Sequence, residues 1–341
     1  MSSEKKYERL LSLKEIELAI KQIKDYFEVQ LSEALRLQRV TAPFFVASGM
    51  GLNDDLTGVE RPVSFRVSGA ACSVEVVQSL AKWKRFALKR YGFKEGEGLY
   101  TDMNAIRPDE TLDDIHSFYV DQWDWCKIIA PEERTTKTLF DTVLKIYSCL
   151  LNTEAFLAKE YPKIEPILPK DITFITSKEL YERFPNDPPK VREDKITKEY
   201  GAVFIVGIGG ALPDGSLHDK RAPDYDDWST PRSDGGIGLN GDIILWNPIL
   251  ERAFEISSMG IRVNSEVLKK QLAICHCEDR EKLHFHQMLL NNELPQTIGG
   301  GIGQSRLCMF MLRCLHIGEV ACGVWPTAMQ KDCEARGIVL L

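Results

Sequence analysis

Along this sequence, stretches with the period of a helix and stretches with the period of a strand follow one another in no regular order, and that irregularity alone excludes several architectures. Ser12 with Glu15 three residues on makes a capping box, and Ile16, Ile20, Ile23, Phe27, Leu31 and Leu35 then recur at spacings of three and four, predicting a long amphipathic helix. Val40 to Phe45 follows as an extended stretch containing Pro43. Val63, Phe65 and Val67 alternate with Ser64 and Arg66 as a half-buried strand would. Ser117 to Trp125 reads as a strand with Phe118, Val120, Gln122 and Asp124 on one face and Tyr119, Asp121, Trp123 and Trp125 on the other. Further strands are expected over 172–175, 202–206, 243–246 and 254–256, with helices near 134–160, 265–275, 279–291 and 304–315. A doubly wound parallel sheet needs regular strand-helix alternation. Its absence leaves an α+β domain with a large, mainly antiparallel sheet. The richest linker, Pro185 to Lys190, has apolar strand signals close on both sides and reads as a surface loop, so residues 12–341 form one domain behind an N-terminal extension of residues 1–11.

Composition narrows the classes further. The chain has 341 residues, 44% hydrophobic and 27% charged, ample for a sizeable core. Its net charge is -7 with scattered Lys and Arg, so no basic footprint for nucleic acid is present, although a small anion can still meet local arginines. Nine cysteines, odd in number and irregularly spaced in a chain too large to need staples, point to reduced thiols and a cytoplasmic location. Neither a signal-peptide pattern at the start nor a run of eighteen apolar residues is visible, so neither secretion nor membrane insertion is expected.

Several clusters have chemical potential, and each has an ordinary alternative. Ile298 to Leu307 is glycine-rich and leads toward a helix, where Gly backbone can approach a flat or phosphorylated ligand, the helix N-terminus favours negative charge and Arg306 is in reach. It lacks the Lys-Ser/Thr of a P-loop, and a packing role for its glycines stays open. Gly207-x-Gly209-Gly210 invites a dinucleotide reading but runs into the turn signal Pro213-Asp214-Gly215 where a helix should begin. Arg221 to Ser229 holds three carboxylates beside two aromatics, with Asp242 and Glu255 on later strand signals. Such oxygen ligands suit Mg²⁺, and a solvated acidic loop is the plainer reading. Ser79 to Arg85 sets three cations around a tryptophan, by default a basic helical surface over a buried Trp83. Cys275, Cys277, His284 and His286 match no standard zinc spacing and read as ordinary helix residues.

Read as words in order, Asp54-Asp55-Leu56-Thr57-Gly58, Ser79 to Arg85, Gly96 to Tyr100, Arg107-Pro108-Asp109-Glu110, Tyr119 to Trp125, Arg221 to Pro231, Leu239 to Asp242, Phe254 to Val263 and Pro295 to Leu307 resemble the ammonia-dependent asparagine synthetases over nearly the whole chain from about residue 12. The resemblance implies a fold like the catalytic core of class II aminoacyl-tRNA synthetases, usually as a homodimer. It also implies a reaction in which aspartate and ATP give β-aspartyl-AMP and pyrophosphate, and ammonia then displaces AMP. Carried over residue by residue, it implies ATP binding by Arg107, Arg221, Asp226, Asp242, Glu255, Ser258, Gly303 and Arg306, with Asp242 and Glu255 holding Mg²⁺ against the phosphates. Arg107 is expected to grip the α-phosphate, and Arg306 to lie near the nucleotide. The aspartate pocket is assigned to Asp54, Ser79, Lys84, Gln122 and Asp124: Lys84 fits a carboxylate, while Asp54, Gln122 and Asp124 fit the ammonium. Either Asp54 or Asp124 takes a proton from the incoming ammonium. Arg107, Asp54, Asp124 and Arg306 are thus the expected catalytic set.

The chain departs from the bacterial pattern in its extra N-terminal residues, in Asn53 and Asp55 where that family usually has Gln and Asn, and in Gly69-Ala70-Ala71-Cys72-Ser73. An extra carboxylate at Asp55 bears on ammonium handling. Met1 is followed by Ser2, leaving no cysteine there as a glutaminase nucleophile and favouring free ammonia as nitrogen donor. Two rivals stay in view. An aspartyl- or asparaginyl-tRNA synthetase would need a tRNA-binding module, and a non-catalytic aspartate or nucleotide binder need not keep Arg107, Arg306, Glu255 and the acidic loop together.

Overall fold

The capping box at Ser12 forms as expected and opens α1 (Leu13–Leu35), the Ser12 side chain accepting from Glu15 N while the Glu15 carboxylate accepts from Ser12 N. Ile16, Ala19, Ile23, Phe27, Leu31 and Leu35 make its buried stripe. Apart from Ala19, each such side chain contributes about 1.5–3 kcal/mol relative to exposure, against about 1 kcal/mol for the cap, so burial decides where α1 sits. This computed structural model describes residues 7–54, 56, 60–69 and 72–341. Asp55, Thr57, Gly58, Ala70, Ala71 and residues 1–6 of the N-terminal extension therefore lie outside the described residues.

After α1 come β1 (Leu37–Arg39), β2 (Phe45–Ala47), β3 (Ser64–Val67), β4 (Cys72–Val76), α2 (Ala81–Arg90), β5 (Gly98–Ile106), β6 (Tyr119–Ile128) and α3 (Thr136–Glu160). The middle of the chain supplies β7 (Thr173–Thr176), α4 (Ser177–Arg183), α5 (Pro189–Tyr200), β8 (Ala202–Val206), β9 (Asn240–Asn247) and β10 (Arg252–Ile261). It closes with α6 (Ser265–Ile274), α7 (His284–Leu290), β11 (Thr297–Gly303), α8 (Gln304–Met311) and α9 (Thr327–Arg336). An eight-stranded sheet runs β1-β5-β6-β11-β10-β9-β8-β7, and a three-stranded sheet runs β2-β4-β3. In the large sheet β1 lies parallel to β5 and β7 to β8; the neighbours between them are antiparallel, matching the mainly antiparallel α+β expectation.

Helices cover both faces of the large sheet. On one face α1, α3 and α8 bury Trp123, Trp125, Phe204 and Phe254, with Phe27 and Trp123 ring centroids 4.8 Å apart. On the other, α2, α6 and α7 pack over Leu99, Met103 and Cys126. Gln122 and Asp124 share the face of Cys126, so the period-two reading of this strand sends its two polar groups toward the side roofed by α2.

Four local expectations differ from the structure. Val63 and Phe65 are exposed because β3 edges the small sheet, whose Phe45 and Phe65 rings meet only edge to face, 6.1 Å apart. The helix expected near 304–315 begins at Gln304, straight after the strand that the glycines of Ile298 to Gly303 form, and ends already at Met311. The pattern over 279–291 breaks at Leu283, whose extended backbone separates a turn of 3₁₀ helix from α7. The Pro185 to Lys190 loop ends at Pro189, which opens α5 where its missing N–H costs nothing. No helix among the described residues is long and apolar enough to cross a membrane.

Candidate active site

Sheet register puts the polar candidates in one row. Asp124 on β6 pairs with Gly301 on β11, Gly301 with Ser258 on β10, and Ser258 with Asp242 on β9. With strands about 4.8 Å apart, Asp124 and Asp242 are separated by about 14 Å. Between them the glycine strand is the floor. A Cβ added at Gly301 would collide with Gln122 Oε1 and lie 3.0 Å from its Cδ, so the Gln122 amide rests on that bare backbone. A β-bulge between Glu255 and Ser257 reverses the side-chain alternation, bringing Glu255 onto the same cavity as Ser258 and Arg262. The cavity holds about 450 Å³ and is lined by Asp54, Ser79, Arg107, Gln122, Asp124, Arg221, Asp226, Glu255, Ser258, Gly303 and Arg306, so most of the predicted site comes together.

Lys84 and Asp242 lie just outside that lining. Lys84 is fully buried, pairs with Asp124 Oδ1 and donates to Gly300 O at 3.0 Å; Asp124 Oδ2 accepts from Leu80 N at 3.1 Å. Burial pulls the Lys84 ammonium below its usual range, opposed by Asp124. Its carboxylate partner in this structure is therefore a side chain of the protein.

The two charged words read as solvated surface are instead buried and paired. Lys82, Lys84 and Arg85 are 3%, 0% and 3% exposed, and Arg85 donates to Pro295 O at 2.7 Å and Val263 O at 2.6 Å. Burial drops the Arg85 guanidinium to about 9. Asp224, Asp226 and Asp227 are 0%, 3% and 0% exposed, and they pair with Lys82, Arg262 and Arg134. A carboxylate is tolerated at such depth only with a cation and hydrogen bonds to hold it. Tyr225, between two of these anchors, donates to Asp54 Oδ2 at 2.9 Å. Burial raises the Asp54 carboxyl above its usual range, with Lys82 opposing and Asp224 adding to the rise.

The other end is rich in arginine. Arg107 Nε and Nη2 donate to Gln78 O at 3.4 and 3.3 Å, and its Nη1 lies 4.0 Å from Glu110. Arg306, in the first turn of α8, donates to Glu255 O at 3.2 Å and approaches the Glu255 carboxylate at 4.0 Å. Arg221 pairs with Asp242 Oδ2, while Asp242 Oδ1 is buried with no hydrogen-bond partner among the described residues. Burial pushes Asp242 up to about 7 against the pull of Arg221, with Glu255 adding to the rise. Glu255 also feels burial, but Arg306, Lys190 and Arg221 overcome it and hold its carboxyl below the usual range.

Two residues quoted only as parts of words prove structural to the site. Arg262 is 3% exposed, pairs with Asp226, lies 5.3 Å over the Tyr225 ring and lines the cavity; Tyr225 tethers Asp54. Arg262 shares strand parity with Ser258, a signal present in the sequence once β10 is extended to residue 261. The Cys275, Cys277, His284, His286 group forms no metal cluster: no group of three or more ligating side chains occurs among the described residues, and His286 bonds to Asp224 at 3.0 Å.

An antiparallel sheet roofed by helices, with a polar row across its central strands and arginines at one end, is the architecture of class II aminoacyl-tRNA synthetase catalytic domains. Asparaginyl-tRNA synthetase from Pyrococcus horikoshii, complexed with asparaginyl-adenylate, superposes with a TM-score of 0.67 at 14% identity over 90% of this chain and 70% of that one. The Entamoeba histolytica asparaginyl enzyme gives 0.64 at 13% identity over 91% of this chain, which spans 66% of that synthetase's length. Sequence is more specific. The aspartate-ammonia ligase family model matches residues 14–337. An aspartate-ammonia ligase of Clostridium perfringens is 58% identical over 338 residues, 99% of this chain and 98% of that protein, and one of Parabacteroides distasonis 54% identical over 336 residues, 98% and 97%. The chain belongs to the aspartate-ammonia ligase family.

Proposed function

We propose that this chain makes asparagine from aspartate, ATP and ammonia, releasing AMP and pyrophosphate, within a single catalytic domain over 12–341. The observation that carries the reading is the row Asp124, Gly301, Ser258, Asp242: a pocket of carboxylates and an amide at one end, arginines at the other, and bare backbone between them on which an aspartyl adenylate can lie.

In the first step an oxygen of the aspartate β-carboxylate attacks the α-phosphorus, a P–O bond forms, and the bond to the β-phosphate breaks to release pyrophosphate. Arg107 and Arg306 hold phosphate oxygens as charge builds on them, their planar forks suiting bidentate contact. Arg221 and Asp226 fix the nucleotide side, while Ser258 lines the floor and Gly303 leaves room for the Arg306 side chain. Gln122 and Asp124 receive the aspartate ammonium, Ser79 closes the pocket, and Lys84 holds Asp124 in place from behind while its charge favours substrate carboxylate nearby. In the second step ammonia attacks the acyl carbon and the C–O bond to AMP breaks. Of the two carboxylates, Asp54 is the better proton acceptor: burial raises its proton affinity, whereas Asp124 is engaged by Lys84 and the Leu80 N–H.

Mg²⁺ fits the residues present. Asp242 has an unpartnered buried oxygen, and the Glu255 carboxylate faces the cavity with Arg306 no nearer than 4.0 Å. One or two carboxylates plus substrate phosphates make an ordinary Mg²⁺ site, and the ion would neutralise charge on those phosphates. A cytoplasmic location accords with cysteines that are all free, and a homodimer is carried over from the resemblance.

The test is release of AMP and pyrophosphate from ATP, Mg²⁺ and aspartate, with ammonium, with glutamine and with neither. Asparagine formed together with AMP, far better from ammonium than from glutamine, is the expected result. Adenylate chemistry without asparagine would indicate a synthetase-like activity instead, and no ATP turnover a binding protein.

A further inference from the structure

Behind the aspartate pocket is a charged cluster that the mechanism above does not use. Asp224 Oδ2 accepts from Lys82 Nζ at 3.1 Å, Arg280 Nη1 at 3.2 Å and His286 Nε2 at 3.0 Å. The side chains of Lys82, Asp224 and His286 are 2%, 0% and 0% exposed. These groups come from α2, the acidic loop, the turn before α7, and α7 itself. Because Asp224 is ionised, its pKa driven far below the usual range by Lys82 and His286 in spite of burial, His286 Nε2 carries the shared proton. His286 Nδ1 is buried without a partner among the described residues and faces Gly51, where an added Cβ would come within 3.1 Å of it. The cluster therefore also abuts the segment after β2 that carries Asp54.

Two links join the cluster to Asp54. Tyr225 follows Asp224 in the chain and donates to Asp54 Oδ2, so fixing Asp224 fixes the phenol that aims this carboxylate. The charges of Lys82 and Asp224 also act on Asp54 with opposite signs. We infer that Lys82 and Asp224 are positioning residues for the ammonia step, a buried opposed pair that orients Asp54 through Tyr225 and balances the field in which it accepts a proton. The inference rests on the reading of Asp54 given above.

Among the described residues, the groups facing Asp54 are Lys82 from α2, the Ser79 hydroxyl just before it, and Asp224 and Tyr225 from the acidic loop. Those facing Asp224 beyond Lys82, Arg280 and His286 are Asp54 and, more distantly, Cys275 and Cys277. The signs follow directly. Lys82 favours the ionised form of Asp54, so removing it raises Asp54's pKa; Asp224 disfavours that form, so neutralising it lowers the pKa.

The experiment is the pH dependence of asparagine formation by the full chain at saturating aspartate and ATP and constant total ammonium, in the range where ammonium stays almost wholly protonated. The acid limb is expected to move up by about one pH unit in Lys82→Met and down by about one in Asp224→Asn, with Lys82→Arg holding the wild-type position. Limbs that stay in place while rates fall, or that move in the same direction, would overturn the inference and leave a merely structural cluster. Should Asp224→Asn not fold, the direction of the Lys82→Met shift decides alone. Wild-type enzyme that forms AMP but no asparagine would overturn the underlying reading, and the inference with it, before any variant is compared.

Discussion

Arg107 is held only loosely, by two long bonds to Gln78 O and a distant Glu110, so its guanidinium is available to a ligand at little cost to the protein. Arg107→Ala is therefore expected to fold normally and lose about 10²–10³ in turnover, as removal of one preorganised donor typically does; unchanged kcat for asparagine formation would remove it from the site. Gly301 makes the opposite case, a residue whose lack of a side chain is its contribution. Gly301→Ala would push the Gln122 amide off the floor. Losing a hydrogen bond to a charged group is worth about 1.5–3 kcal/mol, so kcat/KM for aspartate should fall at least about tenfold with KM for ATP little changed. Equal losses for both substrates would mean that the floor as a whole had moved. The charged residues were where sequence misled most. Lys82, Lys84, Arg85 and the three aspartates at 224, 226 and 227 read as solvated because lone charges almost never bury, while their partners are far off in the chain: Lys82 and Asp224 are 142 residues apart, and Lys84 and Asp124 are 40.

Among the elements, those with a strong period were legible. α1, α3 and α6 appear close to their expected bounds, and β6 has the phase that puts Gln122 and Asp124 on one face. β11 is absent from the expected strands because glycines carry no alternating side chains to read; only its place between β6 and β10 makes Thr297–Gly303 a strand. The bulge after Glu255 was equally hidden, since an extra residue in a ladder depends on the partner strand. α1 supports the site from behind: Phe27 is fully buried against Trp123, whose strand neighbours Gln122 and Asp124 face the cavity. Phe27→Ala should cost about 3–5 kcal/mol, read as a lower urea midpoint at unchanged slope. A cost below about 1 kcal/mol would show that α1 is dispensable to that packing.

At the scale of the whole molecule, class II architecture and family membership agree with the irregular strand order and the ordered words of the sequence, and the adenylate mechanism joins them to one cavity. That mechanism makes a demand on individual atoms. If the β-carboxylate attacks the α-phosphorus and ammonia later breaks the acyl C–O bond, one carboxylate oxygen must leave with AMP. Aspartate labelled with ¹⁸O in its β-carboxylate, incubated with the enzyme, ATP, Mg²⁺ and ammonium, should yield AMP carrying one ¹⁸O for every asparagine formed, with pyrophosphate unlabelled. Asparagine accompanied by ADP and labelled inorganic phosphate would instead place the attack at the γ-phosphorus and contradict the adenylate.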